Sequence, residues 1–377
     1  MYKPRLYAPG PVEVPREVLE ATARPVIHHR TSEFKNLFLR VREKLAELTC
    51  VKDDVIILAG SGTAAFEAGF VTAVPKGSKV LGINAGKFGE RWINLARQYG
   101  HEVIDLNYAW GRAAKPADLR SLLKTHTDIA AVMTTHSETS TGVLHDVKAL
   151  ASVIHEEVPD ALFLVDCVTS LSVTELRPEA WGLDGIFAGS QKGLLLPPGL
   201  AFAWLSERAW QRAEEKHASF YLDLRREKAA QQNGQTAQTP AVNLIYGLEV
   251  ALNMLLSEGT ENLWTRRKRL NLALIEGAKE LGCKGYAERI SPAVAALSAP
   301  ASISAPDIVK GFEKRGARIA GGQDHSKPVL FRPSVLGYAD RYDVFTILNL
   351  LEDALKELGA SVQSGGAIAK AKDVLDN

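Results

Sequence analysis

Six short apolar runs, each ending in small or polar residues, leave few folds open to this chain. They are "DVIILAG" (54–60), "SKVLGINAG" (78–86), "DIAAVMTTH" (128–136), "ALFLVDCV" (161–168), "DGIFAGS" (184–190) and "LAFAWLS" (200–206). They are mostly unalternating and often β-branched, the pattern of strands buried on both faces of a parallel sheet. Helical periodicity fills the gaps. "SEFKNLFLRVREKLAELT" puts Phe34, Leu37, Phe38, Val41, Leu45 and Leu48 on one face, with Ser32 as the expected N-cap. "FGERWINLARQYG" does the same with Phe88, Trp92, Leu95, Ala96 and Tyr99, and stops at Gly100. Strand–helix alternation predicts an α/β fold with helices on both sides of a sheet.

Past residue 226 the pattern changes. "REKAAQQNGQTAQTP" (226–240) is polar and Gln-rich and reads as a long loop closed by Pro240. An apolar helix, "AVNLIYGLEVALNMLL", and a charged one, "TENLWTRRKRLNLALIEGAKELG", follow. From about residue 283, short strands ("AVAALSAP", "ARIAGG", "KPVLFRPSV") and two helical segments predict a smaller α+β domain, and 361–377 reads as a loosely packed tail. The 377 residues, 46% of them hydrophobic, are enough for a large core or two domains. Lys+Arg (45) balance Asp+Glu (44), so no basic excess argues for nucleic acid. Three scattered cysteines, Cys50, Cys167 and Cys283, argue against a disulfide framework or a cysteine zinc site. The proline-broken N-terminus has no signal-like run, and no apolar run reaches the roughly 18 residues of a membrane span. The expectation is a soluble cytoplasmic protein.

In an open parallel sheet, ligands bind beyond the carboxyl ends of the strands. Three exits carry chemistry. "GSGTAA" (60–65) is a small-residue turn opening a helix, a cradle for phosphate. Read as a dinucleotide fingerprint it is weak, because the acid expected about 20 residues on is missing from "GINAGK". Asp166 closes "LFLV", and Lys192 sits in "GSQKG" one strand later. Alone, the first reads as a helix cap or ion pair and the second as a loop lysine. Together they suggest a lysine amine that forms a Schiff base with a carbonyl cofactor, opposite a carboxylate. Pyridoxal 5'-phosphate needs that lysine, a carboxylate facing its ring nitrogen and a phosphate cup.

The segments "YAPGPVEVP", "GSGTAAFEA", "NAGKFGERW", "THSETSTGVLHDV", "VDCVTSL", "AGSQKGLLLPPGLAF" and "LFRPSVLGYAD" resemble, in order over about residues 7 to 355, the class V aminotransferases of fold type I. The nearest branch is the alanine–glyoxylate and serine–glyoxylate (serine–pyruvate) group. The resemblance implies a large domain (16–258) around a mostly parallel seven-stranded sheet, a small C-terminal α+β domain (259–360), and an N-terminal strap (1–15) near the site. It implies a homodimer with sites at the subunit interface. It also implies roles. Lys192 would hold the cofactor and act as base, and Asp166 would face the ring nitrogen. Ser61, Gly62, Thr63 and Gln191 would bind the phosphate. Phe88 would stack on the ring and Val168 pack beneath it, while Thr139 would touch its polar edge. Arg332 would clamp the substrate carboxylate beside the backbone at Gly10. Thr236 and Thr239 stand where relatives reach the partner's phosphate, but the usual tyrosine is absent.

The sequence also departs from the pattern. Many relatives read Arg-Ile-Gly-His where this chain has "RPSVLG", and Pro333 removes a backbone donor. His28 and His29 read as a structural pair, with the alternative that one of them, or Arg30, lines the substrate mouth. The expected reaction is transamination from alanine or serine to a 2-oxo acid such as glyoxylate or pyruvate, with aspartate also open as donor. A phosphonate- or phosphoserine-type aminotransferase would need further cations, for which Arg30, Arg225 and Arg226 are candidates. A cysteine desulfurase would need a reactive thiol in the last third, where only Cys283 lies. An NAD-dependent dehydrogenase would leave Lys192 unexplained. A non-catalytic protein on this scaffold would be expected to lose Lys192, Asp166 or Arg332.

Overall fold

The computed structural model describes residues 2–52, 55–213 and 219–377; Asp54, the first residue of the expected strand 54–60, lies outside them. Among the described residues the main sheet has seven strands: β1 (Ile56–Gly60), β2 (Lys79–Asn84), β3 (Glu102–Asn107), β4 (Ile129–Thr135), β5 (Leu162–Asp166), β6 (Gly185–Gly189) and β7 (Gly199–Leu205). Their spatial order is β1-β7-β6-β5-β4-β2-β3. Strand β7 is antiparallel to both neighbours, and every other pair is parallel. Six strands match the apolar runs. The seventh, β3, was not among them: it is a half-exposed edge strand, "EVIDLN", with no continuous apolar run to mark it.

Alternate residues of each central strand feed two cores. On one face Phe163 and Val165 of β5 pack with Phe34, Phe38 and Leu45 of α1 (Ser32–Thr49). On the other, Leu162 and Leu164 pack with Phe66 and Phe70 of α2 (Gly62–Ala73) and Trp92 of α3 (Lys87–Gln98). Burying a phenylalanine side chain is worth roughly 1.5–3 kcal/mol, so these rings dominate the adhesion of helix to sheet. The cap of α1 is Thr31, one residue before the expected Ser32; its hydroxyl accepts from Phe34 N–H.

The expected loop at 226–240 is partly a correction. Leu224–Gln231 is a helix, and Gln231 is fully buried at its end. Its side-chain amide accepts from Ile57 N–H at 3.0 Å and donates to Ile57 C=O at 2.7 Å. The glutamine therefore stands in for a neighbouring strand along the edge β1, which otherwise offers open backbone to another chain. Its polarity belongs to a buried pairing and not to a solvated loop.

Helices α4 (Val242–Glu258) and α5 (Thr260–Glu280), parted by Gly259, lead into a four-stranded antiparallel sheet. Its strands run in the order Lys284–Gly285, Leu297–Ser298, Leu330–Arg332, Ala320–Gly321. Helices α6 (Ala305–Lys314) and α7 (Arg341–Glu357) close a core around Phe312, Phe331 and Leu351. The expectation of a loose tail is overturned. Helix α8 (Gly366–Asp376) buries Ala367 and Ala371 completely. It lies so close to α5 that a Cβ on Gly277 would sit 2.8 Å from the Ala367 carbonyl. Two alanines against a glycine pack tightly yet give almost no hydrophobic signal in sequence.

The N-terminus is carried by this second layer. Arg5–Leu6 pair in parallel with Ala317–Arg318, Ser334 N–H donates to Tyr7 C=O, and the Tyr7 hydroxyl donates to Asp343 at 3.1 Å. From there the chain crosses to the ends of β5 and β6.

Candidate active site

Strand β5 ends on Asp166, and the chain leaving β6 reaches Lys192 three residues later. Both side chains are buried. Asp166 Oδ2 accepts from the Trp92 indole N–H at 2.7 Å, and Oδ1 from Val168 N–H at 2.8 Å. Burial raises its carboxyl to about 7; the Val168 N–H opposes that rise and the nearby Glu138 adds to it. Lys192 Nζ donates to the carbonyl of Pro9 in the N-terminal strap. Burial lowers the amine to about 8, the Arg332 charge pushes the same way, and Asp166 resists. The strap can come this close only because residue 10 is glycine. It has φ +123°, and a Cβ there would lie 2.5–2.6 Å from the end of the Lys192 side chain.

These two groups border a cavity of about 300 Å³. Helix α2 begins at its wall: Ser61 is the N-cap, its side chain makes no capping bond, and Gly62 and Thr63 form the first turn. A helix start of this kind offers free N–H groups and a positive dipole end to an anion. Gly62 is packed against Val168, whose Cγ2 would be 2.4 Å from an added Cβ. Gln191 and the Phe88 ring line the same space. So does Thr139, its hydroxyl hydrogen-bonded to that of Thr169 at 2.6 Å.

Arg332 enters from the small sheet. Its Nη1 donates to Thr139 C=O at 2.6 Å, and its Nε and Nη2 donate to Gly321 C=O at 3.0 and 2.7 Å. Burial lowers its guanidinium to about 10, and Glu138 opposes this. Backbone carbonyls thus fix the plane of the guanidinium.

The structure therefore gathers Gly10, Ser61, Gly62, Thr63, Phe88, Thr139, Asp166, Val168, Gln191 and Lys192 around one cavity, with Arg332 bonded to its wall. Thr236 and Thr239 are not at this chain's cavity. The Thr236 hydroxyl donates to Gln238 C=O, and Thr239 borders a separate hollow with His28 and His29. Arg30 bonds Gln235, Arg225 bonds Asp223, and Arg226 lies over the Phe220 ring; none of the three borders the cavity. Cys283 is buried and its thiol is pushed up to about 12, the reverse of a reactive cysteine. A wider cleft of about 860 Å³ lies elsewhere, and its Arg177–Glu261 and Arg289–Asp146 charges are already paired.

Four residues escaped the sequence reading. Trp92 reads in sequence only as part of an apolar helix face. Arg91 borders the cavity and donates to Thr63 Oγ1 at 3.3 Å. Glu138 lies inside the quoted "HSETSTG", and Pro9 contributes only a carbonyl. The spacing of Phe88 and Trp92, one helical turn apart, is the signal that could have found the second.

A model of the family described as aminotransferase class-V matches residues 11–339. The chain belongs to the class V aminotransferases. It is 38% identical over 383 residues to an uncharacterised aminotransferase of Methanocaldococcus jannaschii, covering 99% of this chain and 98% of that one. It is 30% identical to the serine–glyoxylate aminotransferase of Methylorubrum extorquens, over 98% and 95% of the two chains. The solved aspartate aminotransferase of subgroup IV from Thermus thermophilus superposes with a TM-score of 0.89 at 39% identity, covering 94% of this chain and 99% of that one. This aminotransferase thus has the fold expected of it, and its family depends on pyridoxal phosphate. Among the described residues no helix is long and apolar enough to cross a membrane.

Proposed function

We propose that this aminotransferase uses pyridoxal 5'-phosphate to move the amino group of a small L-amino acid, alanine or serine, to a 2-oxo acid such as glyoxylate or pyruvate. The observation that carries this reading is the pair Asp166 and Lys192, both buried at neighbouring strand ends of one cavity, the acid raised to about 7 and the amine lowered to about 8. A buried carboxyl held near neutrality is drawn into its charged form by a cationic partner, which suits a protonated ring nitrogen. The helix start at Ser61–Thr63, with Gln191 beside it, suits the phosphate. The bound cofactor supplies an electron sink for the substrate carbon.

The chain's own groups do the rest. Arg332 holds the substrate carboxylate and so turns the α-hydrogen toward Lys192. Lys192 accepts and returns that proton, its amine aimed by the Pro9 carbonyl. Phe88 and Val168 fix the plane between them. The strap at Gly10–Pro11 covers the amine and excludes water. Arg332 is the one buried guanidinium bonded to the cavity wall among the described residues, which favours a donor with a single carboxylate. The likeness to the Thermus aspartate enzyme favours a second reading, aspartate as donor. That reading needs another cation, and Arg91, exposed at the rim, is the candidate.

In this reading residues 1–15 are the strap, 16–258 the cofactor domain and 259–360 the small domain, in a cytoplasmic homodimer. The exposed Val26, Phe220 and Tyr221 support a second copy on one face. Val26 shares a hollow with Thr239, and Tyr221 C=O accepts from Gln238, which brings the 236–240 segment to that face.

The test is the visible absorbance of the cofactor-loaded protein, before and after single L-amino acids without any oxo acid. Conversion to the pyridoxamine form by alanine and serine, and not by aspartate, is the expected result. Conversion by aspartate alone would favour the second reading. Absence of a visible band after incubation with pyridoxal phosphate, or normal turnover by Lys192→Ala, would overturn the assignment.

A further inference from the structure

Helix α3 is capped from outside itself. Its N-cap residue is Gly86, which brings no side chain to the task. A helix start leaves its first N–H groups without partners. Here the segment 138–140 supplies them in sequence. Lys87 N–H donates to Ser140 Oγ at 2.9 Å, Phe88 N–H to both Glu138 oxygens at 3.2–3.3 Å, and Gly89 N–H to Glu138 Oε2 at 3.0 Å. Ser140 adds its own N–H and hydroxyl to Glu138 Oε1. Glu138 has no exposed surface, and among the described residues no cation forms an ion pair with it. Burial raises its carboxyl above the usual range, and the Ser140 hydroxyl with the Gly89, Ser140 and Phe88 N–H groups opposes that rise.

The arrangement reaches further than a cap. The first two turns of α3 present Phe88 to the cavity and bring the Trp92 N–H to Asp166. The residue after Glu138 is Thr139, whose carbonyl anchors Arg332. One carboxyl thus stands behind two cavity groups, Phe88 and Asp166, and behind the Arg332 guanidinium bonded to the cavity wall. Nothing larger than glycine fits between. A Cβ at Gly86 would lie 2.4 Å from Ser140 Oγ and 2.6 Å from Glu138 Cδ and Cγ. The backbone there is extended (φ 164°), so an alanine at 86 brings no left-handed strain, and the atoms it meets first belong to the clamp.

We infer that Glu138 is a positioning residue of the transamination site, acting through the first turn of α3 on Phe88 and Asp166 and through Thr139 on Arg332. The inference rests on the reading above for the reaction it serves, but its geometry can be judged separately. A glutamine in its place would turn an NH₂ toward one of the donors whose hydrogen bonds Glu138 now accepts, leaving part of the turn uncapped. An alanine at 86 would keep the carboxyl and move it.

The experiment compares cofactor-loaded wild type, Glu138→Gln and Gly86→Ala. The readouts are visible-region circular dichroism of the bound cofactor, kcat and KM for one converting amino acid, and the thermal midpoint. Misplacing reacting groups by about 1 Å can cost on the order of 100-fold, so kcat is expected to fall by roughly 10- to 100-fold in both variants. KM should change far less, and the visible dichroism should weaken. A lowered midpoint with unchanged kcat and dichroism would make the clamp a stability device only and overturn the inference. If neither variant folds, amide hydrogen exchange on the wild type decides. The Phe88 and Gly89 amides should exchange only with global unfolding, and rapid local exchange would overturn the clamp. A wild type with no visible band would sink the proposed function instead, and the exchange result would still judge the clamp.

Discussion

Trp92 donates its indole N–H to Asp166 at 2.7 Å while Phe66 stacks against the same indole, ring centroids 3.8 Å apart and planes 14° from parallel. The carboxylate that faces the cavity is thereby braced by the core on the far side of α3. A hydrogen bond to a charged group is worth about 1.5–3 kcal/mol, and a buried carboxylate that loses one is harder to ionise. Trp92→Phe keeps an aromatic ring against Phe66 and removes the donor. It should lower kcat by roughly 10- to 100-fold, the equivalent of that bond, with little change in the far-ultraviolet dichroism. Steady-state kinetics at saturating donor is the check, and an unchanged kcat would mean the bond is incidental.

The lowered amine of Lys192 sets a pH profile for cofactor capture. A free amine is the form that attacks a carbonyl, and it exists above the amine's pKa. With that value at about 8, against an ordinary lysine near 10.5, the rate of cofactor uptake by stripped protein should rise through pH 7–8 and level off above it. Stopped-flow absorbance across pH 6 to 10 reads this directly. A rate still climbing steeply at pH 10 would mean that burial does not perturb Lys192.

Arg332 is expected to bind every donor by the same carboxylate. Arg332→Lys keeps a charge but loses the planar fork and the bonds to Gly321 and Thr139. KM should rise roughly 10- to 100-fold for each donor in parallel, as removal of a charge-assisted pair worth about 1.5–3 kcal/mol requires. A change confined to one amino acid would assign Arg332 to side-chain selection.

Most of the sheet was legible because its strands are buried on both faces and carry uninterrupted apolar runs. Strand β3, half-exposed at an edge, carries none and was invisible. The site was legible where chemistry demands a residue type: a lysine, an acid and a small-residue turn at strand ends. It was illegible where the structure uses residues for position. Trp92 looked like core because its ring is core, and only its N–H serves the site. Glu138 looked like part of a polar loop because a sequence does not reveal that a carboxylate will be buried against another helix's N-terminus. Gln231 and the Ala367–Ala371 stripe failed the same way, since polarity and small size read as solvent when they in fact mark close pairing.

Behind the site, two histidines predict how the fold meets acid. His136 N–H donates to the Asp166 carbonyl, and His145 N–H donates to the His136 carbonyl. Both rings are fully buried, and Ala114 N–H donates to His145 Nδ1 at 3.0 Å, which fixes a neutral ring protonated at Nε2. Burial lowers His136 to about 3 and His145 to about 4. His145 and Arg289 repel a proton on His136, Arg289 repels one on His145, and Asp146 weakly favours one on His136. The unfolded chain takes up these protons near pH 6.5 and the folded chain does not. Their stabilising contribution is therefore complete above pH 6.5 and is lost as pH falls, toward about 4 for His145 and about 3 for His136. Asp166, with its carboxyl raised to about 7, works in the opposite direction in cofactor-free protein, so the comparison must be between variants. His145→Asn keeps an acceptor for Ala114 N–H and removes one titrating group. Between pH 6 and 4.5 its unfolding free energy should fall less steeply than wild type, by about 1.4 kcal/mol per pH unit, the linkage of one proton. Urea titrations at four or five pH values measure the slopes. Parallel slopes would mean that His145 titrates in the folded protein as it does in the unfolded chain.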